Sequence, residues 1–371
     1  MDFAFSAEQE ELRSVVARFL DAECDEATVR RLADSEESYD PKIWRFAGRQ
    51  LGLQSLAIPE AYGGAGFTFL EEAVVFEEFG RRLCSLPYLA TVGLAANALT
   101  LAQDAATMAR WLPGIAAGET VATVAFTGDE GSWDLTRMTT IATRKDSEYS
   151  LRGHKSFVLD GQSADLILVT AQAEAGLSLY AVERGAAGLS VQSLSTLDRT
   201  RRQARLEFRD TPACIVGHEG QAAEVMPTLL DLGAVALSLE QVGGASFLLD
   251  INVAYAKQRF QFGRAIGSFQ AIKHKCADML LDVESARSAA YYAAWCAAEM
   301  NSELPAVASM AKALCSEVYG RAATDTILIH GGIGFTWEHP AHLYYRRAKS
   351  SELLLGDPSY HRELLAQRIN I

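Results

Sequence analysis

Cysteine is sparse in this sequence and never paired at short spacing. Cys24, Cys84, Cys214, Cys276, Cys296 and Cys315 stand far apart, with no C-x-x-C motif, and most lie in apolar helical contexts such as AAWCAAEM. They read as buried thiols of a cytoplasmic protein whose core needs neither disulfides nor metal. No uninterrupted run of about 18 apolar residues is present, so no membrane span is expected. The opening MDFAFSAEQEELRSVV carries acidic side chains where a secretory signal needs an apolar stretch, so export by that route is not expected either. Basic charge is in deficit, with 34 Lys and Arg against 47 Asp and Glu and a net charge of -13. A nucleic-acid surface needs basic patches to displace counterions from phosphates, which leaves a protein or a small molecule as partner. A polyanionic ligand would have to meet local cations or helix N-termini against an unfavourable global field. Internal repeats and low-complexity tracts are also lacking.

What is present is enough apolar material, 49% of 371 residues, for two or three domains with a large core. Residues 1–120 carry helical periodicity. Ser6 is placed to cap a segment in which Leu12, Val15, Val16, Phe19 and Leu20 recur on one face. The glycines of PEAYGGAGF, Pro59–Phe67, interrupt that pattern before FLEEAVVFEEFGRRL restores it. From 121 to 215 the chain alternates in short runs such as TVATVAF, MTTIATRK, DLILVTA and ARLEFRD, punctuated by Gly, Asp, Ser and Gln. Residues 216–371 return to the helical period, with long segments near 223–258, 268–300 and 305–329. The expected fold is mainly α with an inserted β domain, an uncommon order that narrows the field without naming a function.

Two clusters carry chemistry. In YAKQRFQFGRAIGSFQAIKHKCADM, Tyr255–Met279, a helix is expected to end near Gly263 and Ser268 to cap the next, so Arg259 and Gln270 flank one tight connection. A guanidinium there suits a pyrophosphate through paired charge-assisted bonds, and it equally has the form of a solvated cation favoured by a helix end. In IHGGIGFTWEHP, Ile329–Pro340, Gly331, Gly332 and Gly334 expose backbone to an anion or a planar ligand, or serve packing between two helices.

Together the clusters resemble the acyl-CoA dehydrogenase family. The chain has Y-A-x-x-R-x-x-F-G-x-x-I-x-x-F-Q, then H-G-G-x-G-F-T-x-E-x-x-x-x-L-Y-x-R-x-A-K, and the match extends to PEAYGGAGF. The resemblance implies an N-terminal helical domain, a middle β domain and a C-terminal four-helix bundle, with FAD as cofactor and an acyl-CoA thioester as substrate. It implies a homo- or hetero-oligomer, a dimer or a dimer of dimers, with an electron-transfer flavoprotein as acceptor. By the same similarity Arg259 binds the FAD pyrophosphate across a subunit interface. Gln261, Phe262, Phe269 and Gln270 line the adenine side, and Gly331 and Gly332 let another backbone approach the dinucleotide. The family removes the α-proton of the thioester with a carboxylate while the β-hydride goes to the flavin, in a dry site that polarises the carbonyl and raises the pKa of the base.

The chain departs from that pattern where the base belongs. One family position for the Glu, after R-x-A-K, falls on Leu355; the other, upstream on the helix before R-x-x-F-G, falls on Gly233, followed by Ala234 in place of Arg. Leu328 replaces a Gln near the H-G-G, and TGDEGSWD, Thr127–Asp134, stands for T-E-P-x-x-G-S-D. GHKSFVL, Gly153–Leu159, lacks the hydroxyl that faces the flavin, and Asp357 occupies a Thr position. No residue is therefore assigned as catalytic. The readings that follow are a base-lacking subunit working beside a base-bearing paralogue, as in members that handle bulky steroid side chains; a self-sufficient homomer with its base relocated to Glu240, Glu352 or Asp357; a flavin-dependent oxidase or monooxygenase on the same fold; and a scaffold that binds no flavin.

Overall fold

In the computed structural model, which describes residues 5–146 and 148–371, helices fill the chain to Ala116, strands run from Ala122 to Val216, and helices return from Ala222. Contacts group these elements into two compact units. One comprises the chain up to Arg31, Phe69–Cys84 and Ala234–Ile371; the other comprises Leu32–Thr68 and Ser85–Gly233.

The early helices are α1 (Ala7–Glu23), α2 (Glu26–Asp34), α3 (Pro41–Arg49), α4 (Phe69–Arg82), α5 (Asn97–Ala102) and α6 (Ala105–Ala116). Ser6 caps α1 as its position predicted: its hydroxyl accepts from Gln9 N, and the Gln9 amide oxygen accepts from Ser6 N at 2.9 Å, closing a reciprocal capping box. Asp40 and Asp104 cap α3 and α6 in the same way, each accepting from the amide two residues on. The glycine-rich break after Pro59 is obligatory. A Cβ on Gly64 would fall 1.8 Å from the Ile58 carbonyl oxygen, so no other residue fits without moving the backbone.

Seven strands follow: β1 (Ala122–Ala125), β2 (Ile141–Lys145), β3 (Glu148–Leu159), β4 (Leu166–Ala173), β5 (Gly176–Glu183), β6 (Leu189–Ser193) and β7 (Gln203–Val216). β4, β2, β3, β7 and β5 pair in a closed circuit, with β1 parallel to β4 and β6 antiparallel to β7. Closure leaves few edges to manage. Alternate side chains fill the inside, including Leu151, Val158, Val169, Tyr180, Val182, Leu206 and Phe208, all buried. Each is worth about 1.5–3 kcal/mol relative to exposure. β3 is irregular between Lys155 and Val158, where Phe157 adopts a left-handed φ of 58°.

The later helices are α7 (Ala222–Gln258), α8 (Gln270–Ala298), α9 (Leu304–His330), α10 (Gly332–Phe335), α11 (Ala341–Leu353) and α12 (Pro358–Arg368). α7 is long and apolar enough to cross a membrane by length and composition, which the sequence expectation of no such stretch did not register; yet 72% of its most apolar window is buried, and it is a core helix. Within its unit α7 meets α4 at backbone contact. A Cβ on Gly80 would lie 1.9 Å from the Glu240 carbonyl oxygen, and one on Gly243 1.8 Å from that of Glu77. Beside this crossing Glu77, almost fully buried, accepts from Arg13 at 2.9 Å, from the Tyr291 hydroxyl at 2.6 Å and from Arg287. Replacing Gly80 by Ala must separate two backbones rather than two side chains. We expect G80A to lose at least about 2 kcal/mol, read as a lowered urea midpoint at unchanged slope.

Candidate functional site

Arg259 closes α7, its amide donating to Tyr255 O at 2.8 Å, and the chain then turns through a hairpin in which Phe260–Gln261 pair with Arg264–Ala265. Phe262 and Gly263 sit at the tip with φ of 54° and 77°, the left-handed region a two-residue turn requires. Ser268 does not cap α8: its hydroxyl donates to Ala265 O, and the N-cap position is Phe269, with no side-chain cap bond. A short 3₁₀ turn intervenes and uses the serine to tie itself off, so the hydroxyl is spent before the helix begins. The Arg264 guanidinium lies 4.0 Å from the centre of the Phe269 ring, and Phe262 meets that ring edge-on at 6.1 Å. Arg259, Gln261, Phe262 and Gln270 are exposed, Phe262 at 91%. Among the described residues the Arg259 guanidinium has no ion pair.

The glycine turn lies at the same end of the bundle. Tyr255, one helical turn before Arg259, stacks on His330 at 4.2 Å, and Asn252 donates to Thr326 at 2.8 Å, so the ends of α7 and α9 run together. Gly331 and Gly332 present open faces: a Cβ on either would meet nothing within 4 Å. Gly334 differs, because a Cβ there would strike His330 Cβ at 2.8 Å, which makes it a packing glycine. Phe335 and Trp337 beyond it are exposed at 83% and 66%. An unpaired cation, exposed aromatic faces, side-chain amides and open backbone on one surface fit the phosphate and ring system of a dinucleotide such as FAD. They form a surface rather than an enclosed cleft.

Of the two positions where the family resemblance would place a base, Leu355 lies elsewhere in this unit, whereas Gly233, on α7, belongs to the strand unit. Leu355 is buried and has φ of 60° in the turn between α11 and α12. Of the three carboxylates considered as replacements, Glu352 is paired with Lys349 at 2.7 Å and borders a cavity of about 480 Å³ lined by Ser316, Arg321, Asp325 and Lys349. Asp357 caps α12, accepting from Tyr360 N at 2.8 Å. Glu240 is buried on α7 with its main chain against Gly80. Sequence reasoning did not single out Lys312, which is fully buried with its ammonium directed at this turn. The signal was a lone lysine inside the apolar run AVASMAKALC.

In the strand unit, the altered TGDEGSWD segment is tied to β3. Ser156 N donates to Thr127 O at 2.9 Å, and the Thr127 hydroxyl returns a bond to Ser156 O. Asp129 accepts from Ser156 Oγ, lies 3.0 Å from His154 Nε2, and takes paired bonds from Arg205, which together hold its carboxyl at about 2. Leu159, where the family hydroxyl would be, is buried. Lys155 is buried with neutral partners, Thr170 Oγ1 at 3.2 Å and Met138 Sδ at 2.9 Å, and desolvation pushes its ammonium down to about 7. Because the folded value lies below the ordinary 10.5, the unfolded chain binds more protons between the two. Its contribution to stability is complete above 10.5 and is lost as pH falls to about 7. The melting temperature of the wild type relative to K155M should therefore rise between pH 7 and 9, and a flat difference would mean the ammonium is accommodated without penalty.

Family models described as the N-terminal, middle and C-terminal domains of acyl-CoA dehydrogenase match residues 6–119, 123–211 and 222–370. Acyl-CoA dehydrogenase IpdE2 of Mycobacterium tuberculosis is 34% identical over 96% of this chain and 95% of its own length. Among solved structures, the ChsE4-ChsE5 complex from Mycobacterium tuberculosis is similar with a TM-score of 0.91 and 30% identity, over 100% of this chain and 99% of that one. A variant of the Tcur3481-Tcur3483 steroid ACAD has a TM-score of 0.88 at 30% identity, over 98% of each chain. With all three domain models matched along the chain, the protein belongs to the acyl-CoA dehydrogenase family of FAD-dependent oxidoreductases.

Proposed function

We propose that this chain is the base-lacking subunit of a heteromeric acyl-CoA dehydrogenase, paired with a paralogous subunit that carries the catalytic Glu, and that the assembly dehydrogenates bulky, steroid-derived acyl-CoA thioesters in the cytoplasm. The observation that carries this reading is Leu355. It is an apolar, buried side chain at the place where the family keeps its proton acceptor, and a leucine accepts no proton. Glu352 and Asp357, its acidic neighbours, are engaged by Lys349 and by the α12 N-terminus. The paired names ChsE4-ChsE5 and Tcur3481-Tcur3483, and the steroid in the second title, support a two-chain enzyme of this substrate class.

Bound FAD would supply the acceptor for the substrate β-hydride, to be reoxidised by an electron-transfer flavoprotein. This chain's part is to bind and orient. Arg259 pairs with the pyrophosphate of a flavin shared across the subunit interface, where an exposed and unpaired guanidinium suffers little desolvation cost before the partner arrives. Gln261, Phe262, Phe269 and Gln270 hold the adenine side, and Gly331 and Gly332 admit the partner's share of the dinucleotide. The three sequence divisions, 1–120, 121–215 and 216–371, are read as its N-terminal helical, middle β and C-terminal helical domains.

The test is anaerobic mixing of the FAD-supplemented chain with acyl-CoA esters, steroid-derived ones included, while the oxidised flavin band is followed. The wild-type chain alone should not bleach, and L355E should. Bleaching by the wild-type chain would overturn the base-lacking assignment in favour of a relocated base. In parallel R259A should lose most of its retained FAD at an unchanged apo-protein melting temperature, and undiminished FAD would remove Arg259 from the site.

A further inference from the structure

The turn that carries Leu355 is held by its carbonyls, not by its side chains. α11 ends at Leu353, and a helix end leaves four main-chain oxygens in want of donors. Leu354 N donates to Ser350 O at 3.1 Å, Gly356 N donates to Leu353 O at 3.3 Å, and Lys312 Nζ, reaching across from α9, donates to Glu352 O at 3.2 Å. The same ammonium donates to Gly356 O at 2.9 Å and to Ser316 Oγ at 2.9 Å, which matches its three hydrogens to three acceptors. The third carbonyl of the turn, Leu355 O, takes a bond from His361 Nε2 at 2.9 Å. A carbonyl oxygen only accepts, which places the proton on Nε2, and Ser309 Oγ lies 3.4 Å from the other ring nitrogen. Gly356 has φ of 105°, and a Cβ there would lie 2.4 Å from the Tyr360 ring.

Leu355 itself stands in the left-handed region, which a residue with a Cβ adopts only at an energetic cost. That cost persists only where the surroundings over-determine the backbone. Here the surroundings are Lys312 and His361, on two different helices. We propose that Lys312 is a positioning residue for position 355: by clamping the carbonyls on either side of it, at Glu352 and Gly356, it keeps a rigid mount for whatever side chain that position bears.

The mount is thus intact although the side chain on it is a leucine. Its consequence for catalysis rests on the reading above that position 355 is the family's base position; its existence does not. Burial drives the Lys312 ammonium down to about 7 and the His361 imidazolium to about 4, so the imidazole is neutral at pH 7, as a ring donating from one nitrogen and accepting at the other must be.

The test is amide hydrogen exchange on the full chain, wild type against K312M, read in peptides spanning 352–361 and in peptides from the strand unit. Exchange at Leu354 and Gly356 should accelerate roughly tenfold while the strand peptides stay unchanged. Unaltered exchange in the turn would overturn the clamp, and so would a uniform rise across all peptides, which would signal general loss of stability. Where K312M does not fold, K312Q, which keeps two donors, and H361N give the same comparison under the same criteria. In the L355E background, K312M should lower kcat for flavin reduction with KM for the acyl-CoA within about twofold, since a base swung off its mount leaves ligand binding alone. L355E that never bleaches, with a turn exchanging as in the wild type, would sink the functional reading and leave the clamp standing.

Discussion

Gly80 and Gly243 let the backbones of α4 and α7 meet without side chains between them, and that crossing sets the terms for the rest of the helical unit. Backbones this close bring charged residues inward with them. Glu77, one turn from Gly80, cannot reach water, and the structure answers with Arg13 from α1 and with Arg287 and Tyr291 from α8. A buried carboxylate is tolerable only when donors surround it, so one steric fact, the missing Cβ, draws α1 and α8 to the crossing of α4 and α7. α7 and α8, once fixed there, define where the hairpin at Arg259 that joins them emerges.

Both units also bury a lysine that, among the described residues, no carboxylate bonds, and the two are solved differently. Lys155 in the strand unit meets a hydroxyl, a thioether and a more distant carbonyl, a weak set that leaves desolvation dominant. Lys312 meets two carbonyls and a hydroxyl at well-formed distances, so the same burial yields a directed clamp. Desolvation lowers both values alike, and only the acceptor geometry separates a packing lysine from a positioning one.

On the function proposed above, a chain that anchors this turn through Lys312 and His361 while carrying leucine at position 355 has given up a functional group and kept its mount. The exposed, unpaired Arg259 beside Phe262 is in the same condition: a binding group without an enclosed site. Each feature is incomplete within one chain, and each becomes chemically sensible in a shared one. A subunit that orients cofactor while a paralogue supplies the proton acceptor needs the scaffold undamaged, because misplacing groups by about an ångström at a shared site costs on the order of a hundredfold in rate.

Much was legible in the sequence because it depended on local periodicity and on spacing. The helical and alternating stretches, the cap at Ser6, the break after Pro59 and the family membership all follow from residues close in sequence. That position 355 bears a leucine was visible too, since identity alone decides whether a side chain takes a proton. Ser268 was misread because a 3₁₀ turn claimed its hydroxyl, and the three glycines after His330 looked alike until packing separated Gly334 from its open neighbours. Lys312 and His361 gave almost no sequence signal as partners of position 355, being 43 residues before it and 6 after. The sequence by itself determined that position 355 bears a side chain that takes no proton; only the tertiary structure decided how that position is held, because the carbonyls around it are bonded by Lys312 and His361, which lie on other helices.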